Sequence, residues 1–138
     1  MIELIDTSAW ALREREPAVR TIIDASIIEG RAATCPPIML ELLHTAPNVG
    51  EFRRWRGRLE ALHLLPIGAP EWARALDVYE ALAAQGGAHQ RSVKHPDLLA
   101  AAAAEAGGAV LVHYDEDYER IAAITGQPTR WAAPRGSV

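Results

Sequence analysis

The apolar positions of this chain change their period repeatedly, and each change marks an element. At the start, Ile2, Leu4 and Ile5 sit in "IELID", a short run that predicts a strand. "SAWALRERE" begins a helix that Pro17 interrupts or restarts. From Pro17 onward, Val19, Ile22, Ile23, Ser26 and Ile27 fall near one helical face, with Pro at the first turn and Gly30 as the stop. "RAATC" reads as a second strand, closed by Pro36–Pro37. "IMLELLHTA" then predicts a helix that buries Met39, Leu40, Leu43 and Ala46. "NVGEFRRWRGRLEALH" predicts one helix or a pair joined near Gly50. "LHLLPI" is almost continuously apolar and predicts a strand covered on both faces. "APEWARALDVYEALAAQGG" is amphipathic and ends on two glycines, and "AHQRSVKH" is a loop. "PDLLAAAAAEAGG" is a helix with Pro at its start, "AVLVHYD" a strand, "EDYERIAAITG" a helix and "TRWAAP" a final strand.

Strands alternate with helices along the whole chain. That order predicts a single α/β domain over residues 1–138 with a mostly parallel sheet. In such sheets sites form at the carboxyl ends of the strands. No internal repeat or linker interrupts the pattern, and the alanines at 100–104 express helix propensity.

Composition narrows the class. About half the residues are apolar (49%) and 23% are charged, as in a globular protein. The one cysteine, Cys35, excludes an internal disulfide and reads as a buried strand end in a reducing compartment. Glu3 and Asp6 interrupt the first apolar run and no basic stretch precedes it, so no secretory signal is expected. "LLAAAAAEAGGAVLV" is broken by Glu105 and Gly107–Gly108, too early to span a bilayer. The cytoplasm is the expected compartment. A net charge of −4 argues against gripping nucleic acid by bulk charge, but not against a nuclease whose metal site needs carboxylates.

The carboxylates then acquire positions. Asp6 ends the first strand, Asp115 ends "AVLVHYD" with Asp117 two residues on, Asp97 follows Pro96 in a first helical turn, and Glu41 lies inside the apolar "PPIMLELLHT". Singly, Asp6, Asp115 and Asp117 could be helix caps and Asp97 a response to the helix dipole. Glu41 needs either a solvent rim or a buried partner. Were they to converge, carboxylates about 5 Å apart would repel by roughly 3 kcal/mol per pair at an effective dielectric of about 20. Such a cluster requires a counter-charge. His44, His63, His89, His95 and His113 show no zinc spacing, and hard oxygen ligands favour Mg²⁺ or Mn²⁺, ions suited to phosphodiester hydrolysis.

Basic residues are uneven. Arg53, Arg54, Arg56 and Arg58 crowd "FRRWRGRLE", with Arg54 and Arg58 on one face: a solvated surface, or a contact for RNA or a protein partner. Arg13 and Arg15 lie about a turn beyond Asp6. Arg91 and Lys94 lie in the loop leading to Asp97 and are candidate substrate contacts. Trp10, Trp55, Trp72 and Trp131 read as core or interface anchors, Met39 as core and His113 as structural, while His95 borders the site.

"IDTSAW", "PPIMLELLHTA", "KHPDLLAAAAAEAGGAVLVHYDEDYERIA" and "TGQPTRWAAPRGS", in this order, resemble the PIN-domain ribonucleases of the VapC toxin type, from bacterial toxin–antitoxin pairs. The resemblance implies a PIN-like three-layer α/β/α fold and a Mg²⁺- or Mn²⁺-dependent endoribonuclease acting on structured RNA such as tRNA or rRNA. By position it makes Asp6, Glu41, Asp97 and Asp115 the acidic quartet. Metal ligation would fall to Asp6, Asp97, Asp115 and Asp117, the family placing acids at either or both of the last two. Thr7 or Ser8 would add a hydroxyl, with Arg91 and Lys94 on the substrate. It further implies a homodimer and a cognate VapB-type antitoxin whose C-terminal segment blocks the site. A catalytically silent RNA- or partner-binding module and a DNA nuclease or other phosphohydrolase are the competing classes.

Overall fold

The computed structural model describes every residue from Met1 to Val138. Its elements are β1 (Glu3–Ile5), α1 (Thr7–Arg13), α2 (Pro17–Ile28), β2 (Ala32–Thr34), α3 (Pro36–Leu43), α4 (Val49–Glu60), β3 (His63–Leu64), α5 (Ala69–Ala84), a 3₁₀ turn (His89–Ser92), α6 (His95–Ala106), β4 (Val110–His113), α7 (Glu116–Thr125) and β5 (Thr129–Trp131). The five strands make one sheet in the order β3-β2-β1-β4-β5, every pair parallel.

Strand pleating divides the core in two. Leu4, Ala33 and Leu111 join a large cluster with Ile38 of α3, Leu82 of α5, Ala104 of α6 and Ile121 of α7. Their neighbours Ile5, Ala32 and Val112 point the other way, into a smaller cluster with Ala9 and Leu12 of α1 and Val19 and Ile23 of α2. The result is the expected three-layer α/β/α sandwich. Within it, Ala100–Ala104 are all buried, and their small side chains let α6 lie close to the sheet.

The chain leaves β1 toward β2 and β3, and later returns through β4 on the other side of β1 toward β5. The switch point of the sheet is therefore the β1/β4 pair, where the connections diverge and leave a crevice at the carboxyl ends.

Several element-level expectations are corrected. "LHLLPI" is not a doubly covered strand: β3 is two exposed residues at the sheet edge. Pro66 lacks an N–H to extend the ladder, and Leu65 and Ile67 pack onto the large core from irregular chain. In α3 the buried residues are Ile38 and Leu43; Leu40 is 71% exposed, and Met39 and Ala46 are only half-buried. In α2 the buried stripe is Val19, Ile23 and Ser26, with Ile22 and Ile27 flanking it in solvent. No joint occurs at Gly50, because Asn48 caps α4 by accepting the Glu51 N–H at 2.9 Å. The loop before α6 contains the 3₁₀ turn. No helix is long and apolar enough to cross a membrane.

Candidate metal centre at the strand ends

Asp6 and Asp115 flank the switch point. Asp6 follows β1 directly and caps α1: its Oδ2 accepts the Ser8 N–H at 2.9 Å and the Ser8 hydroxyl at 2.6 Å. Ser8 Oγ in turn accepts the Tyr114 N–H at 2.8 Å, tying the ends of β1 and β4 together. Asp115 does not end the strand itself, as its sequence position suggested. It stands two residues past His113 as the N-cap of α7, its Oδ1 accepting the Asp117 N–H at 2.9 Å. Asp97 lies in the first turn of α6, where burial among neighbouring elements leaves it 4% exposed.

These caps and turns bring acids together. One carboxylate oxygen each from Asp97, Asp115 and Asp117 lies within 4.8 Å of the others, a spacing that suits a common metal ion. Asp6 joins this group through Tyr118, whose buried hydroxyl lies 2.5 Å from Asp6 Oδ1 and 3.1 Å from Asp97 Oδ1. Glu41 stands further out on α3, its Oε1 accepting the Thr7 hydroxyl at 3.2 Å. Thr7 and Ser8 thus both spend their hydroxyls on acids.

The electrostatics record the crowding. Burial, with the charges of Asp6 and Asp115 added, pushes the Asp97 carboxyl up to about 7. Burial and then the Asp6 charge raise Glu41. Burial and Asp115 raise Asp117, against the pull of Arg120. Cations meet the cluster only at its margin. Lys94, the only lysine in the chain, holds its ammonium 3.9 Å from Asp115 Oδ2, and Arg120 donates to Asp117 at 2.8 Å. Arg91 is exposed on the 3₁₀ turn and makes no ion pair. Of the four arginines in α4, Arg54 pairs with Glu51 and Arg56 with Glu60, while Arg53 and Arg58 are free. Arg13 is held by Asp24.

His113 is wholly buried. Burial lowers its pKa despite Glu119 nearby. A neutral ring whose Nδ1 accepts the Asp115 N–H at 3.1 Å must carry its proton on Nε2, which donates to Glu119 at 3.0 Å. Glu119 also accepts the Thr129 hydroxyl at 3.0 Å. The imidazole therefore sets the backbone from which Asp115 projects. Tyr118 and Arg120 have no role in the sequence reading. Tyr118 shares its helical face with Ile121, and that spacing signals core.

The donor set suits a hard divalent cation. It consists of carboxylate oxygens, with no sulfur and no histidine nitrogen among them. Asp97 Oδ2 is buried without a hydrogen-bond partner, an arrangement that costs free energy until something fills it.

The family profile described as "PIN domain" matches residues 4–124. The chain is 41% identical to Ribonuclease VapC18 of Mycobacterium tuberculosis over 138 residues, the whole of both chains. The chain belongs to the VapC family of PIN-domain proteins. Ribonuclease VapC51 of the same organism is 40% identical over 135 residues, 98% of this chain and 96% of that one. Among solved structures, the DNA-bound VapBC of Salmonella typhimurium superposes with a TM-score of 0.74 at 18% identity, covering 96% of this chain and 99% of that one. VapBC-1 of nontypeable Haemophilus influenzae gives 0.72 at 18%, covering 96% and 98%. At that identity the structures testify to the fold, which this PIN domain shares from end to end.

Proposed function

We propose that this PIN domain is an endoribonuclease that depends on Mg²⁺, with Mn²⁺ able to substitute, and acts as the toxin of a type II toxin–antitoxin pair. The observation that carries the proposal is the Asp97–Asp115–Asp117 cluster at the β1/β4 switch point, with Asp97 Oδ2 left unpartnered. Relatives named as ribonucleases support the choice of RNA as substrate.

Asp97, Asp115 and Asp117 would hold the cation, with Asp6 beside them. When bound, a divalent ion supplies Lewis acidity: it lowers the pKa of water and offsets charge on the phosphodiester. The protein does the rest. Ser8 and Tyr118 hold Asp6. Asp6 and Glu41 would line the side from which water attacks phosphorus, with Glu41 to take the proton it releases. Lys94 and Arg91 supply positive charge for the RNA backbone beside an acidic centre that repels phosphate. Thr7, positioned by Glu41, has its hydroxyl at the rim.

Structured RNA such as tRNA or rRNA is the substrate class, and a VapB-type antitoxin with a basic side chain set among the acids is the inhibitor. The cytoplasm is the site of action. A homodimer fits the apolar strip of Trp72 and Leu76, 53% and 65% exposed one turn apart on α5.

The test incubates purified protein with total RNA and with matched DNA. Discrete RNA fragments that require Mg²⁺ or Mn²⁺, vanish with EDTA and are absent for Asp6→Asn are expected. Metal-independent cleavage, cleavage of the DNA alone, or RNA binding with no cleavage at any metal concentration would each contradict the proposal.

A further inference from the structure

Tyr118 joins two carboxylates of the centre. Its hydroxyl has one proton and faces two carboxylates, Asp6 Oδ1 at 2.5 Å and Asp97 Oδ1 at 3.1 Å. Only one can receive the proton. The shorter contact assigns it to Asp6, whose Oδ2 already takes both donors of Ser8. Asp6 is thereby fixed at both oxygens. Asp97 is left with one oxygen against the phenol oxygen and the other, Oδ2, with nothing.

The phenol is rigidly placed. Tyr118 is 1% exposed, its ring packed on His113 with centroids 5.1 Å apart and within the large core that also anchors α6. The hydroxyl thus links the ends of three elements: β1 through Asp6, α6 through Asp97 and α7 through its own backbone.

We propose that Tyr118 is a positioning residue for the metal centre. By donating to Asp6 it fixes that carboxylate beside the Asp97–Asp115–Asp117 cluster, and by spending its proton there it leaves Asp97 Oδ2 without a donor and open to a cation. The inference rests on the metal-dependent reading above. A hydroxyl one shell out from the cation acts on affinity through ligand orientation, and such contacts carry about 10- to 100-fold in metal affinity.

The test is Tyr118→Phe, which keeps the ring and its packing. Mn²⁺ binding is followed by electron paramagnetic resonance, with thermal unfolding in parallel. The expected result is about a tenfold weaker Mn²⁺ affinity, with cooperative unfolding retained. A purely structural tyrosine would shift the unfolding temperature and leave the Mn²⁺ affinity of the folded fraction unchanged, and that outcome overturns the inference. A second measurement needs no substitution. In wild-type protein labelled at tyrosine ¹³Cζ, Mg²⁺ should move the Tyr118 resonance, while that of Tyr79, which contacts His95 instead, stays in place. An unmoved Tyr118 resonance at Mg²⁺ saturation overturns the inference while the metal reading stands. Absence of Mn²⁺ and Mg²⁺ binding by the wild type overturns both.

Discussion

Asp97 is the residue on which most of the chemistry converges. It is buried, raised to about 7 and unpartnered at Oδ2. A group held in that state destabilises the metal-free fold while serving the site. Asp97→Asn is therefore expected to act in opposite directions. RNA cleavage should fall by more than about 100-fold, the upper end of what even outer-shell changes cost. Above about pH 7 the metal-free unfolding temperature should rise, because a buried charge has gone. A parallel loss of activity and stability in a calorimetric and gel assay would count against this. Asp6, Asp97 and Asp115 each had a ready reading as a helix cap or a first-turn acid, and Asp6 and Asp115 are indeed N-caps, so the grouping of these acids with Glu41 came from the resemblance in their order and not from any one position. Tyr118 was not legible, since a tyrosine on the buried stripe of an amphipathic helix looks like core whether or not its hydroxyl has a task. His113 reads as structural and is indeed fully buried; that its Nδ1 sets the Asp115 backbone depends on a turn no periodicity reveals.

At the scale of elements, the far end of the sheet shows what holds the strands in register. Glu3 of β1 is 4% exposed and paired with Arg31, at 2.7 Å, and with Arg130 of β5. Burial works against its ionised form, but Ser26 and the two guanidinium groups together hold its carboxyl below the usual range. Removing one side of such a pair is not equivalent to removing the other. Arg31→Ala with Arg130→Ala leaves Glu3 buried and uncompensated and should cost about 3–5 kcal/mol. Glu3→Leu leaves guanidinium groups that turn to water, and should cost clearly less by urea unfolding. Equal costs would contradict the asymmetry. The strands and helices themselves were largely legible, from Pro at helix starts, glycine at their ends and changes of period. β3 misled because a continuous apolar run does not distinguish a central strand from a two-residue edge followed by Leu65 and Ile67 packing from a loop. Likewise, apolar residues at helical spacing in α2 and α3 exceed what the sheet covers, so Ile22 and Leu40 stay in solvent.

At the scale of the whole molecule, titrations on folding oppose one another. Glu3, depressed on folding, contributes stability that is lost as pH falls through its carboxylate range. Asp97 lies above its ordinary value near 3.8, so the native state binds its proton more tightly than the unfolded chain does. That contribution is complete below the ordinary value and is lost as pH rises through about 7. Glu41 and Asp117 are raised in the same sense, and the buried His113 is lowered, which favours higher pH. Asp97 is therefore isolated by comparison: metal-free wild type should lose more stability than Asp97→Asn as pH rises from about 5 to about 8. Saturating Mg²⁺ should restore more at pH 8 than at pH 5, because cation and proton compete for the same oxygens. Thermal unfolding of both proteins across that range, with and without Mg²⁺, measures it; a metal-free wild type that loses no more than Asp97→Asn would contradict it. Charge also sets how RNA is held on a chain of net charge −4. Replacing Arg91 and Lys94 by Ala should weaken RNA binding and reduce its salt dependence, by about 0.7 in the slope per lost contact to a single strand. Unchanged affinity at low salt would remove them from the substrate path. The central claim is that the acids at the switch point cut RNA through a cation. Sequencing RNA 5′ ends after inducing the wild type and Asp97→Asn side by side tests it most directly. The account predicts a small set of new ends in the wild type and none in the folded variant. The same ends from both would contradict it.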